Sequence, residues 1–189
     1  MTGASGAIYG VRLLERLREL DVETHLIATS WARVNVEHET SYSFTQVKAL
    51  ADVTYGEGDQ AAPVSSGSFL TQGMVIAPCS TKTLGAIANG FGDNLVCRAA
   101  DVVLKERRRL VLAVRETPLH AVHLRNMLTL AEMGVSICPP VPAFYNKPES
   151  IDDIVDQTVL RLLDQLDLNV PSSARWTGLG GSEPEPGGD

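Results

Sequence analysis

The sequence predicts an α/β chain folded around a parallel sheet. Three observations carry that prediction: short runs of unbroken apolarity, amphipathic stretches between them, and polar residues gathered just past the runs. Strands covered on both faces by helices read as continuous apolar segments, and their alternation with helical periodicity reads as repeated βαβ units.

The chain opens on Thr2-Gly3-Ala4-Ser5-Gly6, a small turn that runs into a helix. Ile8, Val11, Leu14, Leu17 and Leu20 recur at three-residue steps beside Arg12, Glu15, Arg16 and Glu19, which gives that helix one buried stripe. Such a turn cradles an anion when backbone N–H groups and a helix N-terminus are held at the end of a strand. No apolar strand precedes it here, so the reading carries an expectation that a folded, active form has a strand upstream of Met1.

His25–Ala28, Met74–Ala77, Leu110–Val114 and Val135–Cys138 are the predicted strands. Helical patterns fall near Leu84–Asn89, Asn94–Glu106, His120–Met133 and Ile151–Leu166. No internal repeat is present. After Asn169 the composition turns to Pro, Gly, Ser and acids, so residues 1–176 read as one domain and 177–189 as a mobile tail. Within that polar stretch Trp176, beside Arg175, is either a packed aromatic or a partly exposed one.

Bulk properties narrow the function. With 189 residues, 44% hydrophobic and 21% charged, the chain has enough apolar mass for a substantial core. A net charge of -7 argues against a general nucleic-acid binder, which needs clustered Lys and Arg. No apolar run approaches the ~18 residues of a membrane span. Cys79, Cys97 and Cys138 are odd in number and widely spaced, which fits a reducing cytoplasm better than a disulfide framework.

In open parallel sheets ligands bind beyond the carboxyl ends of the strands, so the residues after each strand are the test. Thr29 and Ser30 follow the first predicted strand, and Pro78-Cys79-Ser80-Thr81-Lys82-Thr83 follow the second. Arg115-Glu116-Thr117-Pro118 follow the third, and a Pro-rich loop with Tyr145 follows the fourth. Hydroxyls at a helix start suit phosphate or the polar edge of a ring system; plain N-capping explains one such loop easily and accounts less well for several at the same sheet end. Arg115-Glu116 stands just past a buried strand, where a charge pair needs a reason. Arg98, Asp101 and Lys105 share one helical face, with Asp101–Lys105 read as an ion pair, and Arg107, Arg108 and Arg109 read as a solvated turn. His120 and His123 share a face but lack a third metal ligand at sensible spacing, so no metal site is expected. Nothing around Ser80 resembles the Gly-X-Ser-X-Gly elbow of a hydrolase.

Taken together, Thr2-Gly3-Ala4-Ser5-Gly6, Pro78-Cys79-Ser80, Arg98-Ala99-Ala100-Asp101, Lys105-Glu106-Arg107-Arg108, Arg115-Glu116-Thr117-Pro118 and Pro142-Ala143-Phe144-Tyr145 resemble the UbiX-like flavin prenyltransferases. Ser66-Gly67-Ser68 and Gly73-Met74-Val75-Ile76 match as well, and the resemblance spans residues 1–176. It implies a flavodoxin-like, Rossmann-like three-layer α/β/α subunit that joins a dimethylallyl group from dimethylallyl monophosphate to reduced FMN, at N5 and then C6. It implies a homo-oligomer, typically a dodecamer with sites between subunits, and delivery of prenylated FMN to a UbiD-type decarboxylase. Carried over by residue, the FMN contacts fall on Gly3, Ala4, Ser5, Thr29, Ser80, Thr81, Lys82, Thr83 and Arg115. The prenyl-phosphate contacts fall on Lys105, Tyr145 and Arg161, with Arg98 nearby. Glu39 and Glu116 match the acid/base carboxylates, and Ser5 is placed to relay a proton. Thr29 departs from the family's usual Ser by one methyl group.

Two other readings share parts of this pattern. A flavin-dependent cysteine decarboxylase has the same architecture, but its loop resembles Pro-Ala-Ser-Ala-Asn-Thr where this chain has Pro78-Cys79-Ser80-Thr81-Lys82-Thr83, and it gives Arg98, Lys105 and Arg115-Glu116 no task. A non-catalytic FMN carrier needs neither Glu39, Glu116 nor Tyr145.

Overall fold

The computed structural model describes residues 1–168 and 170. In chain order its elements are α1 (Ala7–Glu19), β1 (His25–Ala28), α2 (Ser30–Glu39), α3 (Phe44–Lys48), β2 (Val53–Gly56), β3 (Gly73–Cys79), α4 (Thr81–Ala88), α5 (Leu95–Lys105), β4 (Arg109–Val114), α6 (Ala121–Glu132), β5 (Ser136–Ile137) and α7 (Ile151–Asp164). Short 3-10 turns lie at Pro63–Ser65 and Phe144–Asn146. Arg175, Trp176 and the tail expected at 177–189 lie outside the described residues.

Every strand pairing is parallel, in the orders β1–β2 and β3–β4–β5. β4 shows why its sequence is apolar from Leu110 to Val114. Leu110, Leu112 and Val114 enter one core with Leu84, Ile87, Val103 and Leu130, while Val111 and Ala113 enter another with Leu13, Val155, Val159 and Leu162. Alternate side chains leave opposite faces of a strand, so both faces are covered, by α4, α5 and α6 on one side and by α1 and α7 on the other. This is the α/β arrangement with a parallel sheet expected from the alternation, in the three-layer flavodoxin-like form that the resemblance implies.

The sequence reading missed β2, α2 and α3. β2 alternates between half-buried Val53 and Tyr55 and exposed Thr54, so it lacks the continuous apolarity of the inner strands. α2 buries only Ala32 and Val36, and its remaining residues are mostly polar. Two charge assignments also change. Asp101 pairs with Arg98 at 2.8 Å, and Lys105 pairs with Glu106 rather than with Asp101. Arg108 is no solvated turn residue: its guanidinium donates to the carbonyls of Phe69 and Gly67, both at 2.7 Å, and Arg109 pairs with Asp167.

The two strand groups meet at Met1–Thr2. The Thr29 N–H donates to the Met1 carbonyl at 3.1 Å, and the Thr2 N–H donates to that of Pro78 at 3.2 Å. The Met1 ammonium donates to the Ile27 carbonyl at 2.7 Å. These two residues therefore bridge β1 and β3 at their carboxyl ends. Below them a cavity of about 570 Å³ lies between the strands, lined by Leu13, Leu26, Val75, Ala77 and Val103 among others.

Candidate active site

The loops that follow β1, β3 and β4 meet at one edge of the sheet. Thr2 ties the opening turn to the second of them: its buried hydroxyl donates to the Pro78 carbonyl at 2.7 Å and accepts from the Ser80 N–H at 2.9 Å. The Arg115 N–H donates to the Cys79 carbonyl at 3.1 Å, which ties in the third.

The helix starts after β1 and β3 each carry a hydroxyl. Ser80 caps α4 by accepting from the Thr83 N–H at 3.3 Å, and its hydroxyl shares a 3.1 Å hydrogen bond with that of Thr83. Thr29 caps α2 through the Ala32 N–H at 3.2 Å. Thr81 and Lys82 occupy the first turn of α4, with Lys82 exposed. Hydroxyls, helix N-termini and the Lys82 and Arg115 cations form a donor set whose chemistry suits an anionic phosphate and the polar edge of a flavin. FMN fits this edge on that ground.

The start of α1 behaves differently. Gly6 is its N-cap with φ 95°, a left-handed conformation that favours glycine, and it has no side chain to cap with. The Glu39 carboxylate takes that task, accepting from the Gly6 N–H at 2.7 Å and the Ala7 N–H at 3.0 Å. The anion-binding end expected of the opening turn is thus filled by a carboxylate of the chain itself.

Glu39 belongs to a stripe of α2 that lies along the opening turn. Trp31, Asn35 and Glu39 are spaced by four residues and so share one helix face. Trp31 lies against Gly3, where an added Cβ would stand 2.5 Å from the Trp31 Cβ. Asn35 donates to the Ala4 carbonyl at 2.9 Å, and Glu39 holds Gly6 and Ala7. Ser5 sits exposed in the middle of the turn that this stripe supports. The four-residue spacing of Trp31, Asn35 and Glu39 is present in the sequence, but it gains meaning only once α2 is recognised as a helix.

Arg115 and Glu116 are exposed beyond β4. Glu116 accepts from the Thr117 N–H at 2.9 Å. Burial pushes the Tyr9 phenol up, and the positive charge of Arg115 works against that rise. Tyr9 gives no signal in the sequence beyond its place on a helix.

A second group forms around α7. The Tyr145 hydroxyl accepts from Gln157 Nε2 at 3.3 Å, and Arg161 follows Gln157 by four residues on the same face. Arg161 pairs with Asp164 at 2.8 Å, and its charge moderates the upward push of burial on the Cys138 thiol. Tyr145 and Arg161 are therefore neighbours, with Gln157 between them.

Arg98 and Lys105 form a third group, on α5, and one chain does not bring Lys105 to the other two. The Leu95 N–H at the start of α5 donates to the carbonyl of Glu57, just past the carboxyl end of β2. α5 runs 11 residues from there toward the start of β4, so Lys105 lies about 15 Å along the helix, at the amino edge of the sheet. Arg98 donates from Nε to the Ser65 carbonyl at 3.2 Å. His120 accepts from the Val122 and His123 N–H groups as the N-cap of α6, and the two rings stack at 3.5 Å. Among the described residues no cluster of three or more His, Cys, Asp or Glu side chains is placed to hold a metal ion, and no helix is long and apolar enough to cross a membrane.

A family model described as Flavoprotein matches residues 1–163. A Streptomyces protein named as a probable UbiX-like flavin prenyltransferase is 62% identical over 180 residues, covering 95% of this chain and 90% of its own. A solved structure of AnUbiX in complex with FMN and dimethylallyl pyrophosphate superposes with a TM-score of 0.91 at 54% identity, covering 95% of each chain. A second, from Escherichia coli and described as a dodecameric FMN-dependent UbiX-like decarboxylase, gives 0.91 at 55% identity, covering 94% of this chain and 100% of its own.

Proposed function

The chain belongs to the UbiX-like flavin prenyltransferases within the flavoprotein family, and on that premise we propose that it transfers a dimethylallyl group to reduced FMN. The observation that carries this reading is the convergence of the Ser80, Thr29, Thr2 and Arg115 loops at one sheet edge, together with the FMN and dimethylallyl pyrophosphate bound by a relative at 54% identity.

Bound reduced FMN supplies the electron-rich acceptor. Thr29, Ser80, Thr81, Lys82, Thr83 and Arg115 bind and orient it, with Gly3, Ala4 and Ser5 along its edge. Glu116 and Glu39 are the proton-transfer groups, and Ser5 relays between them and the ligand. Lys105, Tyr145 and Arg161, with Arg98, bind the departing phosphate and stabilise its growing charge, a task usually given to Mg²⁺ in prenyl transfer. Because α5 holds Lys105 at the far edge, a complete site draws α5 from another copy of the chain. Positioning the donor carbon beside the acceptor then supplies most of the acceleration. A dodecamer assembled as in the Escherichia coli relative provides such shared sites. We place the enzyme in the cytoplasm, with prenylated FMN passed to a UbiD-type decarboxylase.

Anaerobic incubation of the protein with reduced FMN and either dimethylallyl monophosphate or pyrophosphate tests the proposal by mass analysis of the extracted flavin. A gain of one C5H8 unit is expected with the monophosphate. An unchanged flavin with both donors refutes the assignment. Glu116→Gln lowers turnover and keeps FMN bound; loss of FMN itself gives Glu116 a structural role instead.

A further inference from the structure

α6 is apolar on two opposite faces, and only one of them is covered. Leu130 is fully buried, and with Met127 it turns inward to the core that holds Leu84 and Ile87 of α4. At 100° per residue the opposite face carries Ala121, Leu124, Arg125, Leu128 and Glu132. Leu124 and Leu128 are 52% and 59% exposed. Arg125 and Glu132 stand two turns apart on this face, and among the described residues neither forms an ion pair.

We propose that the outer face of α6 pairs with α6 of a second copy, antiparallel across a two-fold axis near Leu128. The charges set the register. An antiparallel pair that places Arg125 opposite Glu132 also brings the two Leu128 side chains together at the axis, with Leu124 beside them on the same face. Two-fold symmetry repeats each contact, so the two ion pairs flank the apolar centre on both sides. A parallel pair instead sets Arg125 against Arg125 and Glu132 against Glu132.

Area decides what kind of contact this is. The apolar patch is on the order of a few hundred Å², about half of the ~800 Å² per partner that a standard interface buries. α6 pairing is therefore one contact among several in a closed assembly rather than a free-standing dimer. The inference rests on the assembly reading given above, since closed groups of twelve other than a simple ring contain two-fold axes.

Native mass spectrometry of the full chain, at fixed concentration and with a circular-dichroism melt on each variant, tests the pairing. Arg125→Glu alone and Glu132→Arg alone each place like charges at both ends of the axis, and each is expected to raise at least tenfold the concentration needed to hold the full assembly. Arg125→Glu combined with Glu132→Arg restores it, and Leu128→Asp loses it while keeping its helical signal. Single variants that assemble like the parent overturn the pairing, as does a double exchange no better than the singles. A parent that is itself monomeric overturns the assembly reading along with the pairing, and the flavin mass assay then reports separately on the enzyme assignment.

Discussion

Gly10 sits where α1 approaches β3, and replacing it with alanine tests how that approach sets the site. The added Cβ would stand 2.7 Å from Met1 Cε and closer still to the Ala77 carbonyl oxygen. Met1 can swing its terminal methyl away, but the carbonyl belongs to the strand that delivers Pro78, Cys79 and Ser80 to the ligand edge. Reaching an ordinary contact of about 3.5 Å with that carbonyl oxygen moves α1 outward by about 1 Å. Overpacking of this kind costs about 1–3 kcal/mol. The change from glycine to alanine inside a helix returns up to about 1 kcal/mol. Because the closest atom is backbone, the upper part of the overpacking range applies, about 2–3 kcal/mol, and the expected net loss is about 1–2 kcal/mol, or a Tm lower by about 2–8 °C at the ~2–4 °C per kcal/mol of a chain this size.

Because α1 carries the opening turn, a shift approaching 1 Å also displaces Ser5 from Ser80, and misplacement on that scale can slow catalysis by up to about 100-fold. Gly85→Ala is the matched control. Its nearest neighbour, Asn126 Nδ2, is 3.4 Å from the added Cβ, so the helix-propensity gain of about 0.5–1 kcal/mol remains and Tm rises. Parallel thermal melts at one protomer concentration, followed by the flavin mass assay, measure both effects. A Gly10→Ala protein that melts at or above the parent, or that shifts in the same direction as Gly85→Ala, refutes the argument.

Two further outcomes follow from single contacts. Asn35→Ala removes the 2.9 Å hydrogen bond to the Ala4 carbonyl, and with it about 1 kcal/mol, while leaving Glu39 on the start of α1. FMN affinity, followed by fluorescence titration, is expected to fall several-fold, with a Tm lower by about 2–4 °C; unchanged affinity removes the support role assigned to the stripe. Burial pushes the Cys79 thiol up from 9.0 to about 12. Below pH 9 both states hold this proton, so there is no penalty. Between about pH 9 and 12 the unfolded thiol ionises while the folded one does not, and stability falls by up to about 1.4 kcal/mol per pH unit. Cys79→Ala should therefore flatten the alkaline fall in denaturant midpoint over that window, and an unchanged slope refutes the assignment.

Local physics made the inner strands and their loops legible in the sequence. A strand covered on both faces must be apolar at every position, as Leu110–Val114 is, and the residues after it are free to be polar because they leave the sheet. Where burial is partial the signal fades, which is why β2 and α2 went unread, and with α2 the stripe of Trp31, Asn35 and Glu39. The resemblance named Glu39, but only the folded chain shows that it caps Gly6 and Ala7. Long-range placement belongs to tertiary structure alone. Asp101–Lys105 had the right spacing for an ion pair, yet packing against residues 65–67 gave Arg98 and Lys105 other neighbours. Helical spacing says which side chains share a face; only the packed chain decides what that face meets. The Thr2 hydroxyl that ties two loops separated by 76 residues could not be read from either loop, because sequence distance carries no information about which carbonyl a hydroxyl will reach.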